Sequence, residues 1–311
     1  MRRFAFPEGA AEADRREARQ DALAARLLRH PSAALRLMAR HHKIGILGLA
    51  IVVVMLGAAV LAPLIAPHAP RSQNLAAALV GPSGVHLFGT DELGRDVFSR
   101  VLYGARISIG LGVAVVAVAA VIGITAGVVA GYRGGRLDGL IMRVSDAFLA
   151  FPKLILAMAV AAALGPSLRN TFLAVTATWW PEYARVARSI AVAERHAEFV
   201  AAARVLGVPD RRIIRRHIFP PVAGPVTAKA TLDVGHAIVY IAGLSFIGFG
   251  VRPPDAEWGL MISQGQNFLS TGWWIVVFPG IAILITALGF NLLGDAIRDM
   301  TDPTFRQSIR S

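Results

Sequence analysis

The chain contains three long stretches without a single charged residue: Ile44 to Ala66, Ile107 to Gly131, and Trp258 to Gly294. A helix that crosses a bilayer needs about 20 consecutive, mostly apolar residues. The first two runs meet that length outright. The third holds a loop and then a span over 271–294. No water-soluble core of this chain's size could hide such segments, so a bilayer is the solvent they imply. Composition agrees: of 311 residues 55% are hydrophobic and only 17% charged, against roughly a quarter charged in a typical soluble domain.

Three further segments are apolar but interrupted by ionisable residues. One covers 140–164 and carries Arg143, Asp146, Pro152 and Lys153. The second covers 171–192, with Glu182, Arg185 and Arg188. The third covers 222–249, with Lys229, Asp233 and His236. An ionisable side chain facing lipid is costly, so such segments sit inside a bundle or line a watery path. The expected fold is therefore an all-α membrane protein of six transmembrane helices.

Arginine sets the orientation. Of the 32 basic residues only Lys43, Lys153 and Lys229 are lysines, and the net charge is +12. The basic residues crowd the arm 1–43, the segment Arg185 to Pro220 and the tail 298–311, whereas the loops between are poorer in them. Cytoplasmic loops collect Lys and Arg. The expectation is that both termini and the 193–220 loop are cytoplasmic, in the inner membrane. That accounts for the charge without nucleic acid. In the arm, Ser32 after Pro31 suits a helix cap. The charged stretch before Ile44 is too long for a cleaved signal peptide, so 44–66 reads as a retained anchor.

The chain has no cysteine, which excludes disulfides and thiolate metal sites. None of its three lysines stands in a phosphate-binding G-x-x-x-x-G-K-[ST] loop. No catalytic or metal residue is expected on this chain. If ATP drives it, another subunit hydrolyses the ATP.

Residues 198–220 read EFVAAARVLGVPDRRIIRRHIFP. Phe199, Ala202, Ala203 and Leu206 recur at helical spacing on one face. Gly207 suits a left-handed helix end, and Asp210 suits a cap for a second short helix. The pattern predicts two helices about a sharp corner. Its bland reading is a basic hairpin lying on anionic lipid. The segment also resembles the "EAA" loop of bacterial ATP-binding-cassette importer permeases. Ala202, Ala203, Gly207 and Pro220 keep that spacing, while Ala201 stands in place of Glu, His217 in place of Ile and Phe219 in place of Leu. Residues His86 to Ile109, Leu244 to Gly259 and Phe290 to Arg306 resemble the dipeptide, oligopeptide and nickel branch, in its C-type transmembrane subunit.

That resemblance implies a type I importer permease, with ATP and Mg bound by partners. The partners would be a second homologous permease, two ATPase subunits and an extracytoplasmic solute-binding protein. It also implies that Ala201, Ala202, Ala203, Leu206, Gly207 and Pro220 couple the permease to the ATPase. The substrate class would be dipeptides, oligopeptides or related small solutes.

Two charged sets remain. Asp91, Arg95 and Asp96 stand close in the first external loop, as an outer gate, a binding-protein contact, or local pairs that fold the loop. Lys229, Asp233 and His236 share a helical face and either neutralise one another or line a pore. The rival reading is a secondary transporter that relays protons through Asp233 and His236. The absence of inverted repeats argues against it. Trp258, Trp273 and Trp274 suit an interfacial aromatic belt.

Overall fold

The computed structural model describes residues 43–301. The expectations for the basic arm, including the Ser32 cap, and for the tail beyond 301 lie outside the described residues. Among the described residues every regular element is helical, and a single isolated bridge joins Thr90 to Asp96.

The first helix, α1, spans Lys43–Ile65. It buries Gly45, Gly48, Val52, Ala59 and Ala62 along one side and leaves Leu47, Val54, Val60 and Leu64 outward. The next, α2, spans Val97–Arg133, 37 residues. At 1.5 Å per residue it is about 55 Å long, well beyond a bilayer's hydrocarbon thickness. It starts ten residues before the uncharged run because Asp96 caps it, accepting from the Ser99 amide at 2.8 Å. Gly134, at φ +68°, ends it.

The 140–164 segment is not one straight rod. It is α3, Gly135–Leu149, followed by α4, Lys153–Leu164, bent by 91°. Pro152 precedes α4 and cannot donate to the ladder, so the helix breaks there. Then come α5, Leu168–Arg195, and a hairpin of α6, Glu198–Val205, and α7, Asp210–Ile213. A π-turn over Ile214–Ile218 leads into α8, Phe219–Phe246. A short helix, α9, covers Trp258–Gly265, and α10 covers Trp274–Thr301. By length and composition α1, α2 and α10 are each able to cross a membrane, as is the α3–α4 pair if counted as one span.

The core is the packing of α2 on α5. Gly123, Gly127 and Gly131 recur every fourth residue of α2. A β-carbon at Gly127 would lie 2.2 Å from the Ala184 carbonyl oxygen, and one at Gly123 2.4 Å from that of Trp180. Ala184, Ala187 and Ala191 face them from α5, all fully buried. Lipid tails are as apolar as leucine, so helices in a bilayer associate through close van der Waals packing, and small residues make that possible. The same device recurs more weakly where Gly48 of α1 meets Leu292 and Leu293 of α10, and where Gly235 of α8 meets Ala287.

Trp258 and Trp274 are not belt residues. Trp258 is fully buried and its indole donates to the Val101 carbonyl at 3.0 Å; Trp274 donates to the Thr90 carbonyl at 2.9 Å. Buried indoles need such a partner. Trp273 alone of the three is open, at 48% exposure.

Gly127→Leu is expected to abolish a stable α2–α5 pair, since the carbonyl it strikes is backbone and cannot yield. Gly110→Leu, on the same helix with nothing within 4 Å, is the control. Thermal midpoints of the two purified variants in detergent check this: Gly127→Leu should unfold far below the wild type, and Gly110→Leu close to it.

Candidate functional site: a docking hairpin and two charge clusters

The α6–α7 corner is built by local backbone chemistry. Gly207 adopts φ +71°. Its amide donates to the Arg204 carbonyl at 3.0 Å and the Val208 amide to the Ala203 carbonyl at 3.0 Å. Those two bonds form a Schellman motif. The left-handed end expected at Gly207 is therefore present. Asp210 does not cap α7: it is that helix's first residue after Pro209. Its carboxylate instead accepts the Tyr132 hydroxyl at 2.6 Å. Arg204 lies over the Tyr132 ring, 5.1 Å from its centroid. Val200, Ile213 and Ile218 are fully buried beneath the hairpin. The hairpin is thus pinned to the end of α2.

Its outer side is open. Val205 is 88% exposed and Leu206 81%. Ala201, Ala202 and Gly207 are exposed beside them, and Ala203 is half-buried. Pro220 stands apart, in the first turn of α8. Pro209, Arg211, Arg212, Arg215 and Arg216, which follow the apolar tip in sequence, line a cleft. An exposed apolar tip followed by a run of arginines is a candidate contact surface.

The second feature lies within the bundle. Lys229 of α8 contacts Asp233 Oδ2 at 3.1 Å, as expected for mutual neutralisation. It also donates to Glu182 Oε2 of α5 at 2.8 Å. Lys153, at the start of α4, reaches Glu182 Oε1 at 2.5 Å. The Tyr183 hydroxyl donates to Asp233 Oδ2 at 2.6 Å. Two cations, two carboxylates and a phenol thus bind α4, α5 and α8 together with no net charge. His236 does not join: it is 59% exposed and 4.0 Å from Asp233. Sequence spacing found the i, i+4 pair but missed Glu182, Lys153 and Tyr183, which come from other helices. Asp146 of α3 pairs with Arg185 at 2.6 Å, and Arg188 holds Asp138 through two bonds of 2.5 and 2.6 Å.

The third feature is the opposite loop. Asp91, Arg95, Asp96 and Arg100 are all nearly fully buried. Arg95 Nε donates to Asp91 Oδ2 at 2.6 Å and its Nη2 to Glu92 at 3.0 Å. Arg100 Nε stands 3.4 Å from Asp91. These are the local pairs of the loop-folding reading, but buried and shared rather than exposed. Asp96 is separate from them, occupied as the α2 cap. Glu257, not singled out by sequence, caps α9 by accepting from Gly259 and Leu260 at 3.0 and 2.8 Å. The Ser108 hydroxyl of α2 donates to it at 3.2 Å.

Residues 123–307 match the family described as binding-protein-dependent transport system inner membrane component. The chain belongs to this family. Residues 34–82 match the N-terminal transmembrane domain of oligopeptide transport permease C, in keeping with the C-type resemblance. Among the relatives is the probable D,D-dipeptide transport system permease protein DdpC of Escherichia coli (strain K12). It is 47% identical over 253 residues, covering 81% of this chain and 85% of that one. The dipeptide transport system permease protein DppC of Alkalihalophilus pseudofirmus is 41% identical over 267 residues, covering 86% and 88%. The di/tripeptide transport system permease protein DppC of Pseudomonas aeruginosa (strain UCBPP-PA14) is 37% identical over 274 residues, covering 86% and 90%. The chain is a permease subunit of a binding-protein-dependent transport system.

Glu182 serves two lysines, so Glu182→Gln should lower the permease's stability by about 1–3 kcal/mol, more than Lys153→Met does. Thermal unfolding of both variants in detergent is the measurement. Glu257 gives a pH signature. Burial raises its carboxyl above the ordinary range, opposed by the Gly259 and Leu260 amides. The folded state then holds the proton more tightly than the unfolded one. This stabilising contribution is complete below the unfolded value and lost as pH rises through the folded one. The thermal midpoint of Glu257→Gln should lack that part of the wild-type decline with rising pH.

Proposed function

We propose that this permease forms half of the translocation path of an ATP-binding-cassette importer for dipeptides, oligopeptides or closely related small solutes. The peptide class rests on the relatives, all three of which are named for peptide systems. Six crossings are proposed: α1, α2, the bent α3–α4 pair, α5, α8 and α10. Both termini and the α6–α7 hairpin would face the cytoplasm, in line with the arginine distribution. ATP and Mg would be bound by two ATPase subunits. A second homologous permease and an extracytoplasmic solute-binding protein would complete the assembly. The chain itself carries out no covalent chemistry in this reading.

One observation carries the coupling role: an exposed apolar tip, Val205 and Leu206, on a hairpin whose base is locked to α2 through Tyr132 and Asp210. A knob that docks in a partner's cleft must be open, and it must be rigidly joined to what it moves. Alternating access needs two arrangements of the bundle whose balance a partner can bias. A displacement of the hairpin would reach α2 directly, and through the glycine stripe α5.

The proton-coupled reading draws little support from geometry. Asp233 is held by Lys229 and Tyr183, and His236 stands beyond hydrogen-bonding distance from it.

Leu206→Asp tests the proposal. In the assembled complex, with subunit recovery verified by mass spectrometry, solute-stimulated ATPase should fall by about tenfold or more, as for a central contact residue. The thermal midpoint of the permease should change little, since Leu206 is 81% exposed within its own chain. Full stimulation in that variant would remove the hairpin from the coupling path. Uptake that persists after ATP depletion while a proton gradient remains would overturn the importer itself.

A further inference from the structure

His68 lies just beyond α1, His86 on the following loop and Asp96 at the cap of α2. The ligand-capable atoms of the three lie within 4.8 Å of one another. His86 Nδ1 is 2.9 Å from Asp96 Oδ1 and His68 Nδ1 is 3.7 Å from the same oxygen. The two imidazoles face each other with centroids 4.8 Å apart and planes 32° from parallel. Asp96 is almost wholly buried.

One atom in this group is unexplained. His68 Nδ1 is buried and has no hydrogen-bond partner. Its distance to Asp96 is too long for a hydrogen bond, and a buried nitrogen without a partner carries an uncompensated desolvation cost. The backbone around it is nevertheless held in place. The His68 amide donates to Ser99 Oγ at 3.2 Å, and that hydroxyl donates to Asp96 Oδ2 at 2.7 Å. The Asp96 oxygen that faces the histidines is the one not used by the cap.

We propose that His68, His86 and Asp96 form a binding site for a divalent first-row transition-metal ion of the zinc type. Two imidazoles and one carboxylate are the donors such ions take. With bonds of about 2.0–2.2 Å, a tetrahedral ion separates its ligand atoms by about 3.3–3.6 Å and sets two imidazole centroids about 5 Å apart. The observed 2.9 and 3.7 Å to Asp96 bracket that separation, and the histidine pair, within 4.8 Å, reaches it with a shift of about an ångström at most. The ion would take up the orphaned nitrogen. His68 is partly exposed, which leaves an approach and a fourth position for water. The exit from α1, the loop at His86 and the cap of α2 would then be clamped at one point. Arg95 and Arg100, the nearby cations, are directed at Asp91 and Glu92 instead.

The test uses the full chain in detergent, stripped with chelator and equilibrated with Zn2+. Wild type should retain one equivalent more than either His68→Ala or His86→Ala, read by elemental analysis after dialysis. Because His41 and His42 could also take metal, the comparison is repeated in a His41→Ala/His42→Ala background, where the same one-equivalent difference should persist. His68→Ala removes no side-chain hydrogen bond and relieves an unpartnered buried nitrogen, so its metal-free thermal midpoint should not fall below wild type. Zn2+ should then raise the midpoint of wild type and leave that of His68→Ala where it was. Equal zinc content in wild type and His68→Ala, or an equal thermal response to Zn2+, overturns the site.

Discussion

The approach of α2 to α5 along Gly123, Gly127 and Gly131 sets the distances on which the rest of the molecule depends. With no hydrophobic drive between helices in lipid, the two can hold together only by touching closely over a long surface. Three glycines against three buried alanines provide that surface. Once the two axes are fixed, the side chains carried by α5 have fixed positions too. Tyr183, whose β-carbon abuts Gly123, is thereby aimed at Asp233 of α8. Arg188, whose carbonyl abuts Gly131, is aimed at Asp138 of α3.

Charge inside the bundle is handled by compensation. Lys153, Glu182, Lys229 and Asp233 come from three helices and sum to zero. An unpaired charge there would carry a large desolvation cost, and an alternating neutral network avoids it. The network also bridges the break at Pro152, since Lys153 begins α4 immediately after the bend. A helix pair turned through 91° has little straight surface for packing, and an ion pair to Glu182 anchors its start.

Both ends of α2 are tied to loops. At one end Asp96 caps the helix and draws in His68, His86 and Ser99. At the other, Tyr132 accepts the weight of the α6–α7 hairpin through Asp210 and Arg204. A single continuous helix therefore connects the α6–α7 hairpin with the loop at the opposite end of α2. In the coupling role proposed above, that continuity is the simplest mechanical link.

Hydropathy alone marked the uncharged runs now occupied by α1, most of α2 and α10, because a run of apolar residues long enough to cross a bilayer has few other fates. Local rules also placed the hairpin corner: Gly207 is left-handed because a Schellman end requires φ above zero, and that requirement is written in one residue. The motif spacing around it pointed to the importer permeases, and the family match followed. What sequence could not supply was the identity of partners across helices. Lys229 and Asp233 were visible as an i, i+4 pair, but Glu182, Lys153 and Tyr183 join them only when α4 and α5 are brought alongside α8. Asp210 looked like a cap and instead serves Tyr132. Trp258 and Trp274 looked interfacial and are buried with bonded indoles. In each case the deciding contact spans dozens of residues, and only the packing of the helices brings its two halves together.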